Sequence, residues 1–206
     1  MRYFPNRLKG LPVALFCVGV LTPGIAKAAA TNSNTATVTL NATLSAFLTV
    51  TVASPTITWA AGTNPLINGT QVTGTGSPLI TTSWLLTSPN SHIYLYGSFA
   101  TATAALTDTT SDNIPSSAVF GSVTSSGGAV ATPTTALTAF TQTPGTPVTG
   151  IGTASASLLL DTYAVGLTNF VNLIGITDTL KIAITTPAQQ PAGAYTGTIT
   201  IQAQAD

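Results

Sequence analysis

Apolar and polar positions alternate without a break along one long stretch near the start of the chain. In ATVTLNATLSAFLTVTV, residues 36–52, every even position is apolar and every odd position except Phe47 is Thr, Asn or Ser. Successive side chains of a β-strand point to opposite faces, so this period of two predicts a half-buried strand. At about 3.3 Å per residue it would be roughly 55 Å long, whereas most strands have about 3 to 10 residues. We therefore expect part of this stretch to pair outside a single small domain.

The rest of the chain repeats this period of two in shorter runs. Clusters of Gly, Pro, Asn and Ser separate the runs, and no amphipathic helical pattern interrupts them. The candidate strands cover residues 36–44, 47–53, 56–60, 79–87, 92–99, 117–124, 154–160, 179–185 and 194–205. Their number and spacing predict an all-β fold, namely an immunoglobulin-like antiparallel β-sandwich with an N-terminal extension strand.

The final candidate strand, in PAGAYTGTITIQAQAD, has two chemically distinct faces. Its apolar face carries Tyr195, Ile199, Ile201, Ala203 and Ala205. Its polar face carries Thr196, Thr198, Thr200, Gln202 and Gln204. Threonine favours strand over helix, and a strand at this end of the sequence is well placed to lie at a sheet edge. We therefore expect an edge beside which another strand can add.

Residues 1–28 are predicted to be a secretory signal peptide. Three basic residues precede the apolar run LPVALFCVGVL, and small residues follow it in TPGIAKAAA. The apolar run is too short for a membrane-spanning helix and has the flanks of a cleaved signal. We expect cleavage after Ala28, and Ala30 would serve as well. The single cysteine, Cys17, lies inside this segment, so the mature chain is predicted to have no disulfide.

Cleavage at this position changes the charge of the chain. The full sequence has a net charge of zero, but four of its five basic residues lie in the signal peptide. The mature chain keeps Lys181 against five Asp residues, a formal charge of −4. Because nucleic acids and anionic membranes are bound through basic surfaces, we expect neither as a partner, and no membrane insertion after cleavage.

Few residues could carry catalysis or hold a metal. His92 could activate a serine beside an aspartate, but it opens the strand HIYLYGSF and no G-x-S-x-G motif surrounds any serine. The loop DTTSDN, residues 108–113, offers oxygen ligands for calcium, although such residues more often fix a turn. We expect a surface histidine and a turn, hence no catalytic residue, no metal site, no cofactor and no enzymatic activity.

Two tryptophans could bind a sugar ring by stacking. Trp59 and Trp84 each lie in phase with apolar strand neighbours, so packing in the core is the favoured interpretation. The tripeptide WLL, residues 84–86, fits the W-x-L signature of bacterial cell-wall-binding domains, but a second copy near the end of the sequence is missing.

The two ends of the predicted mature chain resemble bacterial pilins and spore-coat-U-like fimbrial subunits assembled by donor-strand exchange. The resemblance lies in the signal peptide, the alternating leader TNSNTATVTLNATL and the closing PAGAYTGTITIQAQ. It implies a domain that lacks one strand, with its groove filled by the extension of the next subunit. It divides the chain into a signal peptide, a donor-strand extension at 29–45 and a pilin-like sandwich at 46–206.

This resemblance assigns residues to the two sides of a subunit contact. The donor strand is formed by Ala36, Val38, Leu40, Ala42 and Leu44. The acceptor-edge strand is formed by Tyr195, Ile199, Ile201 and Ala203. It also implies a homopolymer that passes through the periplasm, is assembled by a periplasmic chaperone and an outer-membrane usher, and forms a filament at the cell surface.

Three functions are compatible with the sequence. The first hypothesis is a structural subunit of an extracellular filament. The second is a monomeric, secreted, cell-wall-associated or glycan-binding sandwich, in which residues 36–44 fold back on their own sheet and Trp59 or Trp84 contacts the ligand. The third is a secreted hydrolase that uses His92. The period of two is equally compatible with pairing within one chain and between chains.

Overall fold

The structure is a computed structural model that describes residues 45–87, 90–166 and 169–206. Within these ranges the chain forms β-strands and two short 3-10 helices, Ser116–Ala118 and Gly128–Val130, and no α-helix. The strands are β1 Phe47–Ala53, β2 Gln71–Thr73, β3 Leu79–Leu85, β4 His92–Ser98, β5 Leu106–Thr107, β6 Asn113–Ile114, β7 Val119–Ser125, β8 Thr138–Ala139, β9 Ser157–Ala164, β10 Val171–Thr185 and β11 Thr200–Ala205. The predicted signal peptide and donor strand lie outside the described residues.

The strands form two main antiparallel sheets. The first has the order β1-β3-β10-β7-β8, with β2 pairing with β10 beyond the start of β3. The second has the order β11-β4-β9, and β5 and β6 form a small separate pair. Apolar side chains from both main sheets meet in one buried core. The predicted all-β antiparallel sandwich is therefore confirmed.

Alternation along the strands explains where the core lies. In β3, Ile80, Thr82 and Trp84 are buried while the residues between them are not. Trp84 is stacked on Tyr163 of the opposite sheet, with ring centroids 5.6 Å apart. Its indole N–H donates to the Asn169 carbonyl oxygen at 2.9 Å. Core packing of Trp84 is thus confirmed, and a buried indole is not available for stacking on a sugar.

The prediction of a strand at 56–60 was wrong. That segment makes one isolated pair, between Thr58 and Thr75. Ser54 has a φ of 53°, which ends the extended conformation of β1, and Pro55 has no N–H to donate to a ladder. Extended pairing therefore stops at Ala53.

Two other predicted strands begin later than expected. The strand predicted at 154–160 is β9, which starts at Ser157 because Ser155 has a φ of 57°. The strand predicted at 194–205 is β11, which starts at Thr200. The preceding segment pairs once with β5, through Thr196 and Thr107. Conversely, the strand predicted at 179–185 is only the second half of β10.

The two sides of the sandwich differ. On one side, residues 131–142 bond to both sheets: the Thr134 N–H donates to the Leu160 carbonyl oxygen of β9, and the Val123 N–H of β7 donates to the Thr134 carbonyl oxygen, both at 2.8 Å. On the other side, β1 and β11 each pair with a single strand among the described residues. One side is thus sealed by the chain itself, and the other presents two edges.

Candidate functional site

The outer edge of β11, which pairs with no described strand, combines unpaired backbone groups with an apolar inner face. The N–H of Asp206 donates to the His92 carbonyl oxygen of β4 at 3.1 Å, so the even residues direct their backbone groups toward β4. Because this direction alternates along an antiparallel pair, Ile201 and Ala203 direct theirs away from β4. The side chains of both pack against the core. The same residues thus offer backbone groups at the edge and apolar groups to the interior.

The edge of β1 lies on the same side of the sandwich. Leu48 and Val50 pack against the core, whereas the hydroxyls of Thr49 and Ser83 bond to each other at 2.8 Å on the outer face. Residues of β1 come within 8 Å of residues of β11 between Cα atoms, although the two strands are not paired. The inward direction of the even positions matches the alternation read from the sequence.

An apolar cleft of about 280 Å³, here called the edge cleft, opens between these two edges. Its walls come from β1, the segment after it, β10 and β11. They include Val52, Ile57, Trp59, Ile182, Ile199 and Ile201. Val52 lies on the inward face of β1 and is still 38 % exposed, which places it at the mouth of the cleft. The cleft can therefore receive apolar side chains from outside.

The predicted acceptor residues divide between two places. Ile199 and Ile201 line the edge cleft, and Ala203 packs against the core farther along β11. Tyr195 precedes β11 and does not line this cleft. Its hydroxyl donates to the Pro191 carbonyl oxygen at 2.9 Å and accepts from Gln190 Nε2 at 2.8 Å. The predicted donor residues 36–44 lie outside the described residues.

Tyr195 instead belongs to a second cleft of about 570 Å³, here called the end cleft. It is built where the segment after β1 meets the segment after β10. Its apolar lining includes Trp59, Pro65, Leu66, Pro191, Ala192 and Tyr195. Trp59 lines both clefts, so they are neighbours. The end cleft was not predicted from the sequence, because the residues around Pro65 and Pro191 that complete its lining have no periodic pattern.

His92 does not have the geometry of a catalytic relay. Its side chain is 44 % exposed, and its Nδ1 lies 3.0 Å from Ser91 Oγ and 3.9 Å from Asp206 Oδ2. In a Ser-His-Asp triad the serine and the aspartate bond to opposite ring nitrogens. Here both approach the same nitrogen, so the aspartate cannot orient the ring for proton transfer from the serine.

The DTTSDN loop uses its own carboxylate to fix a turn. Asp108 Oδ1 accepts from the N–H groups of Thr110 at 2.9 Å and Asp112 at 2.8 Å. Its Oδ2 accepts from the Thr110 hydroxyl at 2.7 Å, and this bond lowers the pKa of Asp108. The turn interpretation is confirmed. The described part of the chain contains no group of three or more side chains with metal-ligand chemistry.

A buried pair of carboxyl groups was not foreseen. Asp161 and Asp178 are fully buried, one from each sheet, and the Tyr163 hydroxyl donates to Asp178. Asp161 accepts from the Thr162 N–H at 2.7 Å. Burial, and then the charge of Asp178, raise the pKa of Asp161 to about 6. Neither carboxylate lines either cleft.

Comparisons of this chain with protein-family models, curated proteins and solved structures found no match. In the ranges that the structure describes, no helix has the length and apolar character needed to cross a bilayer. The features of the molecule that bear on its function are the unpaired edges, the two clefts and the alternating sequence that precedes β1.

Proposed function

We propose that the protein is a structural subunit of an extracellular filament. In this proposal residues 36–44 of one copy add as a strand to β11 of the next copy. Their even side chains enter the edge cleft, and their backbone bonds to the free edge of β11. The observation that carries the proposal is that Ile201 lines the edge cleft and also directs its backbone groups to the unpaired edge of β11.

The chemistry of the leader suits this edge. Adding a strand to a sheet uses main-chain bonds for affinity and alternate side chains for specificity. Leader residues Val38, Leu40 and Leu44 lie on one face of an extended chain, and burying each stabilises the complex by roughly 1.5 to 3 kcal/mol. The cleft lining is apolar and carries no charged residue. An apolar stripe thus meets an apolar cleft.

The connection between the leader and β1 favours pairing between copies. Only Ser45 and Ala46 separate residues 36–44 from β1, and the even positions are apolar on both sides of them. Reversing the chain in two residues requires a hairpin turn, for which Asn-Gly or Asp-Gly is preferred. Ser-Ala is a poor turn sequence, whereas unbroken alternation is what a continuous strand requires. A leader that extends away from its own domain can reach a neighbour.

Secretion and low charge are consistent with this role. The predicted signal peptide directs the chain across the inner membrane, so we place the filament at the cell surface after passage through the periplasm. A free subunit exposes an apolar cleft and an unpaired edge, which promote aggregation. A periplasmic chaperone and an outer-membrane usher, as in the pilins that the chain resembles, would cover them. With a formal charge of −4 per mature chain, closely stacked copies repel each other weakly.

The test is polymerisation of the purified mature protein, followed by electron microscopy and light scattering. Leu40→Asp places a charge on the apolar face of the leader and should abolish filaments, because an unpaired buried carboxylate is costly. Thr39→Asp places the same charge on the opposite face and should leave filaments intact. Equal effects of the two substitutions, or a wild-type protein that stays monomeric over a wide concentration range, would refute the proposal.

The approach of β1 to β11 favours one alternative. Because the two edges come within 8 Å, they must separate where a strand enters between them. A monomeric glycan-binding or wall-associated sandwich needs no such separation. In that alternative Trp59 would be the ligand contact, since it is half-buried at the junction of both clefts and Trp84 is 1 % exposed. Sugar-dependent quenching of Trp59 fluorescence in a stable monomer would favour it.

A further inference from the structure

An exposed apolar surface lies at the opposite end of the domain from the end cleft. It is here called the bulge patch and consists of Phe47, Phe170, Val171, Leu173 and Ile174. Ile174 is 94 % exposed and Leu173 is 64 % exposed. Phe47 and Val171 both pair with Leu85, so the patch is continuous across the start of β1, the end of β3 and the start of β10. Monomeric soluble proteins rarely present such a surface without a partner.

The patch is held rigidly by the backbone. The register of β10 against β3 shifts between Asn172 and Ile176, which forms a β-bulge. Gly175 has a φ of +87°, and a Cβ added there would lie 2.6 Å from Thr81 Cγ2. The Gly175 N–H donates to Asn172 Oδ1 at 2.8 Å. The bulge therefore projects Leu173 and Ile174 from the sheet, because bulges re-aim the side chains of the bulged strand.

The bulge patch and the end cleft lie at opposite ends of β10. Val171 opens this strand, and Thr186, directly after it, lines the end cleft. Fifteen residues separate the two ends, a span of about 45 Å. The leader joins β1 at Phe47, beside the bulge patch, and the edge cleft adjoins the end cleft at Trp59. The start of β1, to which the leader is joined, thus shares one end with the bulge patch, and the two clefts share the other.

We propose that Leu173 and Ile174 of one copy dock into the end cleft of the next copy. This inference rests on the proposed function, which supplies the second copy as the occupant. Because only two residues connect leader and β1, insertion of the leader brings the bulge end of one copy against the cleft end of its neighbour. Neither surface carries a charged residue. Such a head-to-tail contact extends as a filament when the rotation between copies does not close a ring.

Directed cross-linking tests this contact in the mature chain, which is predicted to be free of cysteine. Ile174→Cys with Ala192→Cys in one chain places the two thiols at opposite ends, so a short flexible bis-maleimide can join them only between copies. We expect a ladder of covalent oligomers on a denaturing gel. The matched control replaces Ala192→Cys by Thr124→Cys, an exposed position on β7, and should give no ladder.

A second pair separates this inference from the proposed function. Leu40→Cys with Ile201→Cys should also give a ladder, because it reports insertion of the leader. A ladder from this pair together with none from Ile174→Cys and Ala192→Cys would overturn the bulge contact and leave the filament proposal standing. Absence of both ladders would overturn both proposals.

Substitution of the bulge provides an independent measurement. Ile174→Asp should raise the critical concentration for polymerisation by about tenfold or more, since a factor of ten corresponds to 1.4 kcal/mol. The variant should retain the wild-type melting temperature as a free subunit, because its side chain is exposed. Thr124→Asp is the matched charge control. An unchanged critical concentration for Ile174→Asp would overturn the inference.

Discussion

Asp161 and Asp178 meet in the interior of the sandwich, one from each sheet, and each has a carboxyl oxygen without a hydrogen-bond partner among the described residues. Two buried carboxylates cannot both ionise at low cost when no cation is near. Burial first, and the charge of Asp178 second, raise the pKa of Asp161 to about 6. Asp161 therefore keeps its proton at mildly acidic pH, where an exposed aspartate would be ionised.

This pair should make the folded state more stable in mild acid. The pKa of Asp161 is about 6 when folded and about 3.9 when unfolded, so the folded state binds more protons between these values. Its contribution is complete below pH 4 and is lost as the pH rises through 6. We expect the free energy of unfolding to fall by about 1 to 2 kcal/mol between pH 4.5 and 7.5. Thermal melts across this range would measure it.

Asp161→Asn provides the control for that prediction. The amide keeps the shape of the side chain, cannot ionise and can donate to Asp178. We expect a melting temperature at pH 7.5 above that of the wild type, and a weaker dependence on pH between 4.5 and 7.5. A variant with the wild-type pH dependence would show that this pair does not control it.

Proline substitutions along β11 should distinguish the role of its open edge from that of the edge paired with β4. Ala203 directs its N–H away from β4, so Ala203→Pro removes a donor only from the open edge, where proline is tolerated. We expect a folded subunit that no longer polymerises. Gln202→Pro removes a donor to β4 and should lower the melting temperature by several degrees. Normal filaments from Ala203→Pro would contradict strand addition at this edge.

Mixing variant and wild-type subunits should reveal the direction of assembly. A Leu40→Asp subunit cannot donate its leader but retains β11 and the edge cleft. Added to wild-type protein, it should accept a wild-type leader and then stop growth at that end. We expect filament length in electron micrographs to shorten as the variant fraction rises. Filaments of unchanged length would indicate that the variant has no usable acceptor edge.

Substituting the histidine should change little. The His92 contacts with Ser91 and Asp206 lie at the surface, and exposed polar pairs contribute about 0 to 1 kcal/mol. We expect His92→Ala to assemble normally and to melt within about two degrees of the wild type. Loss of a hydrolytic activity toward model esters in this variant would instead favour the hydrolase hypothesis.

Several strands could be predicted from the alternation of apolar and polar residues, because no bulge or turn interrupts them. The prediction for 47–53 matches the bounds of β1, and that for 92–99 exceeds β4 by one residue. Asp178 lies in phase with the buried Ile176 and Leu180, so its inward direction could be read from the sequence. These strands need no information beyond the alternation itself.

β-Bulges account for the buried positions and the strand segment that alternation alone did not predict. In β9, Leu160 and Asp161 are consecutive and both buried, because the register against β4 shifts beside them. Strict alternation would direct Asp161 to solvent. The bulge of β10 likewise interrupts the first half of that strand, which the sequence did not predict. The end cleft depends on two aperiodic segments, and the donor strand stays a prediction because it lies outside the described residues.

The segment 131–142 limits how copies of this protein can associate. It bonds to β7 and to β9, so it occupies the margins of both sheets on its side of the sandwich. Continuous growth of a sheet into amyloid requires that strands add at two opposite edges of the sheet. Among the residues that the structure describes, one such margin is unpaired. Each copy can add a neighbouring strand at its open margin but not at its sealed side. The assembly therefore grows as a filament one molecule wide and does not branch at the sealed side.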